Sequence, residues 1–420
     1  MKDVRRWTAA ALLCCLVLSG CRIGDGSSEQ SRTGQTGTEQ APPQETMDPP
    51  NQTPPDKEAA PPSSGSEDNA STAELPYAPE VAASGFEVPW ELKAAPDGRL
   101  FFTERTGNLR VIENGKLVDE PVLQLDEGLY RQSEAGLLGL ELDPDFAENH
   151  YIYVYQSYID GGPPKNRVIR LVESGNKARI DKVILDGLPG YPYHDGGRIK
   201  FGPDRMLYIT SGDAGEPMNA QDLNHLGGKI LRISPDGSIP GDNPFPGSPV
   251  YSLGHRNPQG LAWHPETGQL YSSEHGQSAH DEVNLIAAGA NYGWPLIQGD
   301  ETRVKPEDES GRGVGPLKTP ILHSAEDTWA PSGITFVTKG PWAGNLLVAN
   351  LRGTQILRLD LSEDGSSVRS VDKLFQDELG RIRNVTETAD GSIYILTSNR
   401  DGRGDPGKDD DRIIRLRPLF

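Results

Sequence analysis

Cysteine is almost absent: its three copies sit at 14, 15 and 21. Everything beyond Cys21 is therefore without a thiol, which excludes disulfide staples, thiolate metal sites and cysteine nucleophiles from the bulk of the chain. The fold must rest on its own core. Positive charge is also short, because 41 Lys and Arg face 61 Asp and Glu, for a formal net charge of -20. Such a surface repels polyanions, so no nucleic-acid partner is expected. Long apolar runs are missing too. The longest, Thr8 to Gly20, is too short to cross a bilayer as a lasting helix. From Arg22 to about Tyr77 aromatic residues are nearly lacking, while Pro, Ser, Thr, Gly, Gln and Glu abound. A segment of that composition cannot bury enough surface to offset chain ordering.

The amino-terminal end is that of an exported protein. Lys2, Arg5 and Arg6 precede the apolar stretch, and residues 1–20 have the layout of a signal peptide. Leu18-Ser19-Gly20-Cys21 resembles a lipobox, in which signal peptidase II leaves Cys21 as a lipidated amino terminus. Each buried CH₂ contributes ~0.8 kcal/mol, so two or more acyl chains would anchor the protein firmly. The expected organisation is a signal at 1–20, a lipidated Cys21 with a disordered tether over 21–77, and one domain over 78–420. This puts the domain outside the cytoplasm, held to a membrane by lipid; it is expected to be a monomer.

Within the domain a pattern recurs six times. A Pro/Asp/Gly turn, an alternating strand and a polar tip appear as PDGRLFFTERTG (96–107), DPDFAENHYIYVYQS (143–157) and GPDRMLYITSGDAG (202–215). The same order returns as HPETGQLYSSEHG (264–276), GPWAGNLLVANLRG (340–353) and TADGSIYILTSNRDG (388–402). Further alternating strands lie between them at 109–112, 167–171, 229–233, 355–359 and 412–416. Period-2 patterns punctuated by Gly, Pro and Asp argue antiparallel sheet, and no long stretch has helical periodicity. The predicted fold is all-β, a six-bladed β-propeller with four-stranded antiparallel blades. A decorated sandwich is the alternative, disfavoured because the polar tips recur at the same point of each unit.

Those tips carry the chemistry. In Tyr193-His194-Asp195-Gly196-Gly197 the glycines would admit a flat ligand close to the backbone. An imidazole, with a free pKa of ~6.5, can serve as general base near neutrality; His194 is either that base or a histidine satisfied by a loop. Arg256, in Leu253–Gly260, could hold a carboxylate or a developing oxyanion, or knit its loop. Ser273 to Asn284 reads as a hard-cation loop or a solvated acidic turn, with Asp281 and Glu282 as oxygen donors. Arg381 and Arg383 would share one strand face. Together with Arg352 they would clamp an anion with several oxygens or pair with acidic neighbours.

Read together and in order, VPWELKAAPDGRLFFTER, AGLLGLELDPDF, HDGGRIKFGPD, GGKILRISPDGSIPGDNPF, LGHRNPQGLAWHP, DEVNLIAAGANYGWP, APSG and RIRNV resemble the soluble pyrroloquinoline quinone (PQQ)-dependent glucose/sorbosone dehydrogenases, which include bacterial aldose sugar dehydrogenases. The resemblance runs over about 84–418. It implies a propeller with PQQ flat on the axis over Ca²⁺, oxidising sugars at C1 to lactones and passing electrons to an unknown acceptor. His194 would be the catalytic base and Arg256 would stabilise charge on the quinone oxygens, with Asn257 beside it. Arg352, Arg381 and Arg383 would meet PQQ carboxylates. Gly276 and Gln277 would present carbonyls to Ca²⁺, next to His275, while Glu282 and Tyr292 would belong to a second Ca²⁺ site. Four positions depart from the glucose enzymes: Glu134 replaces a glutamine near the substrate, His275 a glutamine, Arg352 a lysine and Tyr193 an aspartate. A non-catalytic binding propeller and a metal-dependent lactonase are the other readings of such a fold.

Overall fold

The computed structural model describes residues 75–302 and 316–419; the expected signal at 1–20, Cys21 and nearly all of the expected tether lie outside them. Residues 72–420 form one compact unit, whose first strand is Tyr77–Ser84. No described helix is long and apolar enough to cross a membrane.

Six main sheets follow in chain order, and the six-bladed propeller is the architecture observed. The first blade holds Pro89–Ala94, Leu100–Glu104, Asn108–Glu113 and the short Lys116–Leu117 and Leu123–Gln124. The second holds Leu137–Leu142, Tyr151–Tyr158, Lys165–Ser174 and Lys177–Pro189, and the third Ile199–Phe201, Leu207–Ser211, Lys229–Ile233 and Val250–Leu253. The fourth comprises Pro258–Trp263, Leu270–Glu274, Glu282–Ile286 and Leu322–His323, the fifth Pro331–Phe336, Leu346–Asn350, Gln355–Leu361 and Val368–Leu374. The sixth combines Ile382–Glu387, Ile393–Thr397 and Arg412–Pro418 with the amino-terminal Tyr77–Ser84, which pairs antiparallel to Arg412–Pro418 and closes the ring. The six recurrent segments of the sequence are thus the second strand of each blade. The strand Glu282–Ile286 occupies residues expected to be part of a loop.

The core is divided by the ring. Six apolar clusters fill the six gaps between neighbouring blades, such as the Phe101, Leu140 and Val154 cluster between the first and second, and the Tyr77, Trp342 and Ile395 cluster between the fifth and sixth. Alternation along each strand points one set of side chains to the preceding blade and the other to the following one. That is why second strands such as Leu100–Glu104 and Leu346–Asn350 are buried at every position.

Near their starts, five of the six inner strands slip register against the second strand, at Pro89/Leu92, Leu137/Leu140, Pro258/Gly260, Pro331/Ile334 and Ile382/Asn384. A bulge leaves an unpaired residue and re-aims its side chain. Here the unpaired residues include Glu91, Gln259, Ser332 and Arg383, and they are joined by hydrogen bonds across the ring. Arg383 NH1 donates to Gln259 Oε1 at 2.8 Å, and Ser332 Oγ donates to the same oxygen at 3.0 Å. Arg198 Nε donates to Gln259 O at 2.7 Å, while its NH1 pairs with Glu91. Glu91 Oε1 accepts from Asn384 Nδ2 at 2.8 Å. This buried polar plug floors the site described next.

Candidate active site

In an antiparallel blade the start of the inner strand lies beside the end of the second strand. Side chains from both positions therefore meet at one end of the ring. Glu134, His194, Arg256, Asn257 and Arg381 precede or open inner strands; Asp213, Glu274, His275 and Asp401 follow or end second strands.

His194 lies on one side. Its Nδ1 is 2.8 Å from Asp213 Oδ1, and Asp213 Oδ2 accepts from Trp294 Nε1 at 2.9 Å. Asp213 thus orients the imidazole and leaves Nε2 for another partner. The chain reaches this geometry with His194 at φ 62°, and a Cβ on Gly212 would sit 1.9 Å from His194 O, so only glycine fits there. Gly196 and Gly197 are also required by close contacts inside the protein. A Cβ at Gly196 would meet Thr210 O at 2.7 Å and one at Gly197 the Leu138 side chain at 2.6 Å, so both glycines serve contact with neighbouring strands.

Glu134 links three blades. Its Oε2 accepts from the His194 backbone N–H at 3.2 Å and from Asn257 Nδ2 at 3.3 Å, and Oε1 from Arg403 NH1 at 2.8 Å. Burial works against its charge, but His275, Arg403 and His194 outweigh it and hold the carboxyl at about 2. Burial also keeps His275 neutral, down at about 3, so near pH 7 Arg403 is the partner that counts against His275. Asn257 ties the ring together, accepting from Gly196 N at 3.0 Å and lying 3.4 Å from His275 Nδ1.

The cations gather opposite. Arg256 is pulled down by burial, and lies over Trp294 at 5.3 Å. Arg383 is pulled down to about 9 by burial and is still cationic at neutral pH. Arg381 pairs with Asp401 at 2.8 Å and Arg383 approaches the same carboxylate at 3.9 Å. The two arginines share a site because Arg383 is the extra residue of a bulge, so the regular pleat expected from the sequence is not the reason. Buried Arg256 Nε, Arg383 Nε and His275 Nε2 have no hydrogen-bond partner among the described residues. Arg352 is exposed, and its backbone N–H donates to Trp329 O at 3.0 Å.

The expected cation residues are placed differently from a loop of free carboxylates. Asp281 is consumed by backbone N–H groups, from Gly276 at 2.9 Å, Trp329 at 2.5 Å and Ala330 at 2.8 Å, so it organises the turn instead of facing an ion. Gly276 lines a small cavity with Glu274, Glu282 and Tyr292; Gln277 follows in the same turn. Burial, then the charge of Glu274, pushes the Glu282 carboxyl up. Tyr292 donates from its hydroxyl to Leu285 O at 2.6 Å. Among the described residues no group of three or more His, Asp or Glu side chains is placed to hold a metal ion.

Sequence reasoning passed over Asp213, Trp294 and Asp401. Asp213 sat in plain view at the third tip, SGDAG, and Trp294 in GANYGWP; neither lies near its partner in sequence.

Comparison with known proteins decides the family. The sequence profile of the glucose/sorbosone dehydrogenases matches residues 86–414. The chain belongs to this family. A crystal structure of a Thermus thermophilus oxidoreductase, named a glucose dehydrogenase, is 43% identical with a TM-score of 0.73 and covers 81% of this chain and 99% of its own. The PQQ-bound aldose sugar dehydrogenase of Streptomyces coelicolor is 35% identical with a TM-score of 0.70, over 81% of this chain and 98% of its own. The aldose sugar dehydrogenase of Escherichia coli is 31% identical over 77% of this chain and 90% of its own length. As a member of the glucose/sorbosone dehydrogenase family the protein is an oxidoreductase acting on CH–OH groups.

Proposed function

We propose that this glucose/sorbosone dehydrogenase family member oxidises aldose sugars at C1 to lactones with PQQ and Ca²⁺. The observation that carries the reading is the Asp213-oriented His194 facing buried guanidinium and imidazole nitrogens that lack protein partners among the described residues. Those cationic groups fit a flat anion rich in carboxylate and quinone oxygens, with Arg256, Arg381 and Arg383 as its partners and Asn257 and His275 beside it. For Ca²⁺ the donor set is carbonyls at Gly276 and Gln277. A second ion would be held by the paired carboxylates of Glu274 and Glu282 and backbone oxygens near Tyr292, and would relieve their mutual repulsion. When bound, PQQ supplies the hydride acceptor and Ca²⁺ polarises it as a Lewis acid.

His194 Nε2 takes the C1 hydroxyl proton, and Asp213 stabilises the imidazolium so formed. Glu134 positions the His194 backbone and Asn257. Arg352, which is exposed, would add only an outer positive charge toward the cofactor. A lipid on Cys21 would keep the domain at the outward-facing surface of a membrane, within reach of a sugar and of a membrane electron acceptor. A non-catalytic propeller does not explain the His194–Asp213 pair, and a metal-dependent lactonase would need carboxylate ligands converging at the centre, where Arg256, Arg381 and Arg383 stand instead.

The test is reconstitution. Purified protein is given PQQ and Ca²⁺ and dye reduction is followed with a panel of aldoses. The expected result is a PQQ spectral shift and sugar-dependent reduction; His194→Ala should keep the shift and lower kcat about a thousandfold. No spectral change on PQQ addition overturns the reading.

A further inference from the structure

Arg403 stands among the axial cations but serves the proton-accepting half instead of the cofactor clamp. Its NH1 donates to Glu134 Oε1 at 2.8 Å and its NH2 to Ser133 Oγ at 3.2 Å, so both arms of the guanidinium fork are spent on the loop that leads into the second blade. The turn that carries it is fixed as well. Arg403 N donates to Asp401 Oδ1 at 2.9 Å, while Asp401 Oδ2 accepts from Arg381 Nε at 2.8 Å. A tip of the sixth blade thus reaches across to the second. The Arg403 side chain is 54% exposed, and ion pairs that open to water contribute little to stability, so stability is a poor account of its placement.

The other oxygen of Glu134 lies against the base. Oε2 accepts from the His194 backbone N–H at 3.2 Å, which sets a second carboxylate, after Asp213, close to the imidazole. Glu134 is charged wherever the imidazole titrates: burial opposes its charge, but His275, Arg403 and His194 outweigh burial and hold the carboxyl at about 2. A bare negative charge at that place favours imidazolium and keeps the proton on the base. Arg403 offsets it with a charge that no ordinary pH removes. His275 cannot take over, because burial keeps it neutral.

We propose that Arg403 is a positioning residue for the base: it holds Glu134 in a neutral pair, so that the His194 imidazole gives up its proton at a lower pH than it would beside a bare carboxylate. The inference rests on the proposed role of His194 as proton acceptor. The other charged or titratable groups around the imidazole are Asp213, at 2.8 Å from Nδ1, Asp195 behind it, Arg256, His275 and the Tyr193 phenol. Arg105 stands behind the pair, donating to Ser133 O. All of these are common to the proteins compared below, so the change seen on replacing Arg403 belongs to the pair.

The imidazole is titrated by NMR in the full protein without PQQ, its signal assigned by loss in His194→Ala, and the acid limb of kcat/KM is followed beside it with PQQ and Ca²⁺. In Arg403→Gln both midpoints should rise by about half to one pH unit, which lowers kcat/KM about three- to tenfold well below the midpoint and leaves it little changed well above. Added salt should shrink the rise, as it does for charges open to water. Arg403→Lys, which keeps the charge, should restore most of the original midpoint. In Glu134→Gln there is no carboxylate for Arg403 to hold, and the further change Arg403→Gln should move the midpoint by less than about 0.2 unit. A midpoint that stays in place in Arg403→Gln, or that moves as far in the Glu134→Gln background, overturns the proposal, as does a loss of kcat/KM that is equal at every pH. If the NMR midpoint moves but no PQQ-dependent turnover is found, the pair stands and the dehydrogenase reading falls; turnover with an unmoved midpoint gives the reverse.

Discussion

The two sides of the axial site are built on different terms. On the His194 side the protein finishes its own hydrogen bonding: Asp213 serves the imidazole and Trp294, and Glu134 serves the His194 backbone, Asn257 and Arg403. On the arginine side it does not, and Arg256 Nε, Arg383 Nε and His275 Nε2 are buried without partners among the described residues. A buried unpaired donor costs about 1–3 kcal/mol, so the second side is destabilised unless an anion completes it. The contrast amounts to a division of labour. One half fixes a proton acceptor before any ligand arrives, and the other half is a receptor whose stability depends on what it binds.

Removing the organiser of the fixed half should erase this contrast most completely. In Asp213→Asn the amide oxygen can still accept from Trp294 Nε1, but an N–H then faces His194 Nδ1. The imidazole must turn its lone pair to that side and present a protonated Nε2 to the sugar, the wrong form for a base. Turnover should fall about a hundredfold or more while PQQ affinity stays within about twofold, read by steady-state dye reduction beside a PQQ titration. The receptor half should respond the other way. Arg383→Gln removes one charge-assisted contact and should weaken PQQ binding about ten- to a hundredfold. It should also raise the melting temperature of the unloaded protein, because a buried cation beside Arg381 and Arg198 is gone. A melt without PQQ that drops instead would mean that the Arg383 bond to Gln259 matters more than its charge.

Much of this was legible in the sequence alone, and for a physical reason. Strand alternation and turn residues are local signals, so the six second strands and five of the third strands could be read directly, and the blade count with them. The polar tips were legible for the same reason: each follows its own strand. Pairings between residues distant in sequence were not. Asp213 reaches His194 from 19 residues away and Trp294 reaches Asp213 from 81, and no local pattern marks either. The bulges were invisible too, since an extra residue in the inner strand is a relation to its neighbour. They matter because they, and not the pleat, aim Glu91, Gln259 and Arg383 at the axis. Asp281 misled for the opposite reason: its type suits a cation ligand, but three backbone N–H groups reach it first.

The fixed half carries one imperfection, and it gives the smallest effect. Asp195 lies directly behind His194. Its Oδ1 accepts from Asn166 Nδ2 at 2.8 Å and from Tyr191 N at 3.1 Å, whereas Oδ2 has no partner among the described residues. Burial pushes this carboxyl up to about 7, against the hydrogen bonds from Asn166 and Tyr191 that favour its charge. An unfolded aspartate has lost its proton by about pH 4. Between about pH 4 and 7 the folded state therefore holds a proton that the unfolded state does not, and stability falls as pH rises through that window and levels off above it. Asp195→Asn keeps the acceptor for Asn166 and Tyr191 and supplies an N–H where the acid carries its proton. The variant should lose that share of the pH slope and match or exceed the parent in unfolding stability above pH 7, by an amount on the order of 1 kcal/mol. Turnover should change less than in Asp213→Asn, because Asp195 holds the backbone of the Tyr191–His194 segment and does not touch the imidazole. Parallel melting curves from pH 5 to 8 for the two proteins would show that Asp195 is ionised throughout, and that the His194 side tolerates a buried charge whose Oδ2 has no partner among the described residues.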